Sequence, residues 1–181
     1  ANGEVGGAVT VRADAGTVRL LEEKSGEIHL YVHEKLPAGF VKEESCINMG
    51  ECLCGESAKA NQSVVRLFDG ADMPELAYRC RRAGYQTVAV FTISFKDQVL
   101  GIFNLFFAQA RTLSTRERHM LESLGQHMGV AIENQRLVAR EKEMAVSEER
   151  NLLAQELHDS IAQSLAFLNL QAQMLDEALG K

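Results

Sequence analysis

Thr87-Val88-Ala89-Val90-Phe91-Thr92-Ile93-Ser94-Phe95 and Val99-Leu100-Gly101-Ile102-Phe103-Asn104-Leu105-Phe106-Phe107 are two apolar runs separated only by Lys96-Asp97-Gln98. β-Branched and aromatic residues fill both runs, and a short polar link is what lets two strands fold back on each other, so the segment reads as a β-hairpin. Neither run reaches the ~20 apolar residues that a membrane-spanning helix needs. Upstream, Thr17–Leu21 and Glu27–Val32 flank the turn residues Glu23-Lys24-Ser25-Gly26 and read as a second hairpin. Two hairpins imply an antiparallel sheet. Val64–Leu67 adds a short strand, Gly55–Asn61 a short helix, and Pro74–Ala83 a helix with proline in its first turn and Gly84 past its end. The N-terminal part is therefore α+β.

After the second hairpin the grammar changes. Ser114-Thr115-Arg116-Glu117 is a capping box, in which the Ser114 hydroxyl accepts from the third helical amide and Glu117 reaches back. No proline follows, and Gly125 and Gly129 lower helix propensity without ending it, so the pattern predicts one helix up to Gly180. At 1.5 Å per residue it would extend roughly 95 Å. Leu124, Ala131, Val138, Ala145 and Leu152 recur every seven residues, with Leu121 and Met128 on the neighbouring line, which predicts a parallel dimeric coiled coil. Gln135, Lys142 and Glu149 weaken that seam. A second seam, Ile161, Leu165, Leu168, Ala172, Leu175 and Leu179, is out of phase with the first, and Leu153, Leu157 and Ile161 supply the slip between them.

With 46% hydrophobic and 24% charged residues among 181, the chain has the composition of a folded protein. Its 19 basic and 25 acidic residues leave a net charge of −6, which gives no broad attraction to nucleic acid or anionic lipid. Four cysteines are too few for a disulfide scaffold and point to a reducing compartment. The chain begins at Ala1 without Met or a basic leader, and is expected to be an internal piece of a longer protein.

The segment richest in chemistry is Glu156-Leu157-His158-Asp159-Ser160-Ile161-Ala162-Gln163. Asp159 adjoins the imidazole of His158 and can fix its tautomer, while Gln163 lies four residues on and shares the helical face of Asp159. The longer stretch Glu149–Leu165 resembles the phosphoacceptor box of two-component sensor histidine kinases, nearest to the nitrate/nitrite sensor (NarX/NarQ-type) subfamily. The resemblance implies that His158 accepts the γ-phosphoryl group of ATP and passes it to an aspartate of a response regulator receiver domain. By the same resemblance Asp159 is the general base, and Gln163 positions the water that hydrolyses the phosphorylated regulator. ATP and Mg²⁺ would be held by the kinase's own ATP-binding domain, which is expected to follow this chain, so the fragment alone should be inactive.

Residues 10–140 resemble a GAF sensory domain through Gly50-Glu51-Cys52-Leu53-Cys54-Gly55, Val99–Leu105, and Leu113-Ser114 leading to Gly129–Asn134. Cys46, Cys52, Cys54 and Cys80 are its candidate sensor chemistry. Three readings stay open for them: an iron–sulfur or zinc site, a reversible thiol–disulfide pair, or ordinary thiols. The spacing lacks the paired Cys-x-x-Cys of a zinc ribbon. His29 and His33 are four apart on a strand, where that spacing does not converge on a metal.

The expected organisation is a GAF-like antiparallel sheet with flanking helices over 1–112, a signalling helix over 113–150, and over 151–181 the first helix of a dimerisation and histidine-phosphotransfer domain. The whole would be a homodimer on the cytoplasmic side of an inner-membrane receptor, responding to nitrate, nitrite or redox state, with no direct membrane contact in this fragment. The competing expectation is a non-enzymatic redox or small-ligand module whose coiled coil serves only dimerisation.

Overall fold

A computed structural model describes residues 10–68 and 79–180. The first hairpin is β1 (Ala15–Leu21) and β2 (Glu27–Glu34), followed by α1 (Ala38–Glu43), β3 (Cys46–Asn48), α2 (Leu53–Ala60), β4 (Val64–Leu67) and α3 (Arg79–Arg82). The second hairpin is β5 (Thr87–Phe95) and β6 (Gln98–Phe107), and α4 runs from Thr115 to Leu179. Of the helix expected over Pro74–Ala83, residues 74–78 lie outside the described residues; α3 is its remainder.

All strands belong to one sheet in the order β3-β2-β1-β6-β5-β4, every neighbouring pair antiparallel. The two hairpins therefore pair through β1 and β6, with Val18 opposite Phe103 and Thr17 opposite Asn104. Side chains alternate across a strand, so the sheet has two apolar faces. One carries Ala15, Ile28, Val88, Val90, Ile102 and Phe106, packed with Phe40 of α1, Cys54 and Ala58 of α2, and Tyr85. The other carries Ala89, Phe91, Ile93, Phe103 and Phe107, and Leu121 of α4 covers it.

The start of α4 is fixed by the predicted box. The Ser114 amide donates to a Glu117 carboxylate oxygen at 2.8 Å, and the Glu117 amide donates to the Ser114 hydroxyl at 3.2 Å. These bonds, first from the Ser114 amide and then from its hydroxyl and Arg111, hold the Glu117 carboxyl below the usual range. Gly125 and Gly129 have a specific role: a Cβ at either would stand 2.2 Å from the Thr92 carbonyl oxygen or 2.0 Å from that of Ser94. Only glycine lets the helix backbone come this close to β5.

Two compact units result, Ala1–Glu133 and Asn134–Lys181, with α4 contributing to both. Two residues expected on the neighbouring line of the dimer seam pack within the chain itself. Leu121 is buried and Met128 is packed against the sheet of its own chain. The heptad line itself is left open here, Leu124 being 45% exposed. Val138 and Leu152, further along, stay exposed. No helix among the described residues is long and apolar enough to cross a membrane.

Candidate functional site

In the first unit, the sheet face that carries α1 to α3 holds a cavity of about 130 Å³. Cys52, Cys54 and Cys80 line it together with Glu44, Arg79 and Phe68. α2 delivers the first two: Cys52 is its N-cap residue in extended conformation, Cys54 is the second helical residue, and α3 delivers Cys80. Cys54 is buried, and Asn104 of β6 donates an Nδ2–H to its sulfur at 3.3 Å. The GAF-like motif residue Asn104 thus reaches the cysteine motif across 50 positions of sequence.

The three thiols have unequal chemistry. The Cys52 thiol is lowered to about 6, first because the Cys54 thiol serves its sulfur as hydrogen-bond donor and then because the Gly55 and Cys54 amides face it. None of these amides closes a capping bond on the sulfur. Cys54, the partner that must keep its proton to donate it, is pushed up by that same contact and by burial. Burial and the nearby Glu44 carboxylate push Cys80 up to about 12. Of the three, Cys52 is the sulfur whose surroundings favour the thiolate, while those of Cys54 and Cys80 favour the thiol.

Cys46 stands apart. It sits on β3 opposite His29 of β2, with its sulfur, the Glu27 carboxylate and the His29 imidazole within 4.8 Å of one another. Among the described residues, no three of the four cysteine sulfurs meet within that distance. As placed, the four sulfurs do not gather around a single tetrahedral zinc, which is one of the readings open for Cys46, Cys52, Cys54 and Cys80. Strand geometry is the reason: a β2–β3 ladder directs Cys46 to the sheet edge, while α2 starts after a further turn.

Beside the cavity lies a charged group that sequence reading missed. Arg19 is buried within β1, donating from Nη1 to the Glu44 carbonyl at 2.6 Å, with Nη2 at 3.3 Å from the Glu44 carboxylate. Arg79 approaches the other carboxylate oxygen at 3.2 Å. Arg19 Nε, Thr17 Oγ1 and Asn104 Oδ1 are buried without a hydrogen-bond partner among the described residues. In sequence, Arg19 occupies an alternating strand where a charged residue reads as solvent-facing; its partner 25 positions on gives no local signal.

In the second unit, α4 presents His158 to solvent, its side chain 84% exposed, with Nδ1 3.8 Å from the Asp159 carboxylate. Gln163 is exposed on the same helix. The Ser164 hydroxyl is turned inward, donating to the Ser160 carbonyl at 2.9 Å. The imidazole is thus open to solvent, with the Asp159 carboxylate on its Nδ1 side beyond hydrogen-bond distance.

Residues 5–133 match the GAF domain family and residues 149–181 match a family described as histidine kinase. The first match spans most of the chain, and the chain belongs to the GAF domain family. A GAF domain followed by a histidine-kinase segment is its composition. Among solved structures it is similar to the GAF domain of a two-component sensor histidine kinase from Bacillus halodurans, at 21% identity and TM-score 0.57, covering 71% of this chain and 87% of that one. The GAF domain of an Acinetobacter phosphoenolpyruvate-protein phosphotransferase matches at 17% identity and TM-score 0.57, covering 71% and 75%. A type II free methionine-R-sulfoxide reductase from Thermoplasma acidophilum matches at 20% identity and TM-score 0.54, covering 65% and 77%. Likeness at this level establishes the fold; proteins this different share it, so it names no ligand. No curated protein matches the chain at significant similarity.

Proposed function

We propose that this chain is the sensory and phosphoacceptor segment of a two-component histidine kinase, in which His158 is phosphorylated from ATP and relays the phosphoryl group to an aspartate of a response regulator receiver domain. The observation that carries the reading is the exposed His158–Asp159 pair inside the segment that matches histidine kinases. Asp159 holds the Nδ1 side of the ring and stabilises the imidazolium-like charge that develops as Nε2 attacks; closing the present 3.8 Å gap would complete that hydrogen bond. Gln163, one turn after Asp159, orients the water of the opposing phosphatase reaction.

The kinase's ATP-binding domain supplies nucleotide and Mg²⁺, whose role is to position and neutralise the transferred group. The chain works as a homodimer on the cytoplasmic side of an inner-membrane receptor, and the likeness of Glu149–Leu165 to the nitrate/nitrite sensors supports that signal class. In the intact kinase, ATP labelled at the γ position should give an acid-labile, alkali-stable phosphate on His158. His158→Gln should abolish it, Asp159→Asn should slow it, and Gln163→Ala should spare labelling while slowing dephosphorylation of the regulator. Undiminished labelling of His158→Gln would overturn the assignment.

A further inference from the structure

We propose that Cys52 is a peroxide-reactive thiol that closes a disulfide with Cys54 at the start of α2, making the GAF cavity a two-electron redox site for hydrogen peroxide or a small organic hydroperoxide. The inference does not depend on the kinase reading. Its basis is that a half-buried cysteine and a buried cysteine two residues further on both line the same cavity, at the point where α2 begins.

The division of labour follows from exposure and position. Cys52 is partly accessible and faces a cavity of about 130 Å³, room for a small peroxide. Cys54 lines the same cavity but is only 4% exposed, so Cys52 is the sulfur a reagent from solution meets first. The Cys54 thiol and the first α2 amides also favour the anionic form of Cys52.

The chemistry balances as written. The Cys52 thiolate attacks one peroxide oxygen, the O–O bond breaks, an S–O bond forms, and the leaving alkoxide or hydroxide takes a proton to leave as alcohol or water. The peroxide gains two electrons and Cys52 becomes a sulfenic acid. The Cys54 sulfur then attacks the Cys52 sulfur as its proton is lost; the S–O bond breaks, water leaves, and an S–S bond forms. Residues two apart can span the usual Cα separation of a disulfide, about 4.4–6.8 Å, because Cys52 is extended and precedes the helical turn.

The test is to treat the fully reduced 181-residue chain with one equivalent of hydrogen peroxide at pH 7 and locate the product by alkylation and peptide mass mapping. Expected are the loss of two thiols and a Cys52–Cys54 bond, formed equally well in Cys46→Ser and Cys80→Ser. Cys54→Ser should stop at the Cys52 sulfenic acid, captured by dimedone, which keeps the test informative even where Cys52→Ser fails to fold. A bond from Cys52 to Cys80, first oxidation at Cys46, or no dimedone adduct in Cys54→Ser would each overturn the proposal.

Discussion

Replacing Glu44 with Gln removes the carboxylate that neutralises Arg19 while keeping the shape of the side chain. Arg19 is 1% exposed and the Glu44 side chain 7%, so water compensates neither charge. Removing one partner of such a buried pair costs about 3–5 kcal/mol, because the other charge stays buried and unpaired. The Glu44 carbonyl, still accepting from Nη1, and the already unpartnered Nε mean that the variant retains one strong contact to the guanidinium and gains none. Arg19→Met should cost less, since Glu44 keeps Arg79 at 3.2 Å. The chain has no Trp, so urea unfolding is best followed by near-ultraviolet circular dichroism, where Tyr85, buried against Phe40 and Phe106, reports on the core beside the cavity. With a urea dependence of roughly 2 kcal/mol per molar, a loss of about 4 kcal/mol moves the midpoint by about 2 M. The Arg19→Met/Glu44→Leu double variant should lose less than the sum of its singles. A Glu44→Gln shift below about 0.5 M, or simple additivity, would refute the view that this pair holds β1 to the end of α1.

Gly125→Ala and Gly129→Ala should each lower the urea midpoint despite a helix-propensity gain of about 1 kcal/mol, because a new Cβ would meet the carbonyl oxygen of Thr92 or Ser94 at 2.2 or 2.0 Å. Unchanged or raised midpoints would show that α4 is not seated on β5 as described. Iodoacetamide alkylation of Cys52 should rise with a midpoint near pH 6, as the lowered thiol ionises, while Cys46, raised by burial and Glu27, stays slow at neutral pH. At pH 7 a thiol lowered to about 6 is mostly thiolate, against about 3% of an ordinary thiol; the weaker nucleophilicity of a low-pKa sulfur cuts that advantage roughly tenfold or more, leaving about a twofold excess rate. Equal rates at the two sites would contradict the geometry at the start of α2. Leu165→Glu should shift the chain toward monomer in sedimentation at micromolar concentration, and an unchanged profile would remove Ile161, Leu165 and Leu168 from the association surface.

Much of the sheet was legible because its two hairpins carry uninterrupted β-branched and aromatic runs, and their strands fall within one or two residues of the reading. α4 was legible from its capping box. α1 and β3 were not, for physical reasons: α1 is six residues long and its N-cap, Pro37, makes no side-chain bond, while β3 has three residues and owes its conformation to pairing with β2. The cavity was half legible. Cys52 and Cys54 stand out as a motif, but which cysteines meet depends on where α3 and β3 are packed, and that information is not local. Leu121 and Met128 show the same limit, since periodicity reveals an apolar helix face without saying whether a sheet or a second helix covers it.

The two units differ in what makes them stable. The first buries its own apolar surface on both sides of one sheet, with Val88, Ala89, Val90, Phe91 and Ile93 at 0% exposure. In the second, Leu152, Leu157, Ile161, Leu165 and Leu168 are 58–64% exposed. An isolated helix is marginal in water, so order around His158 depends on burying these side chains against another surface. Each would gain at most about 1.5–3 kcal/mol by full burial, and association itself costs an estimated 4–15 kcal/mol. The heptad line that precedes them is diluted by Gln135, Lys142 and Glu149. A helix whose apolar line is diluted in this way can change register or partner under a modest bias, which is the physical property the proposed function asks of it, with one histidine presented alternately to a kinase domain and to a receiver domain.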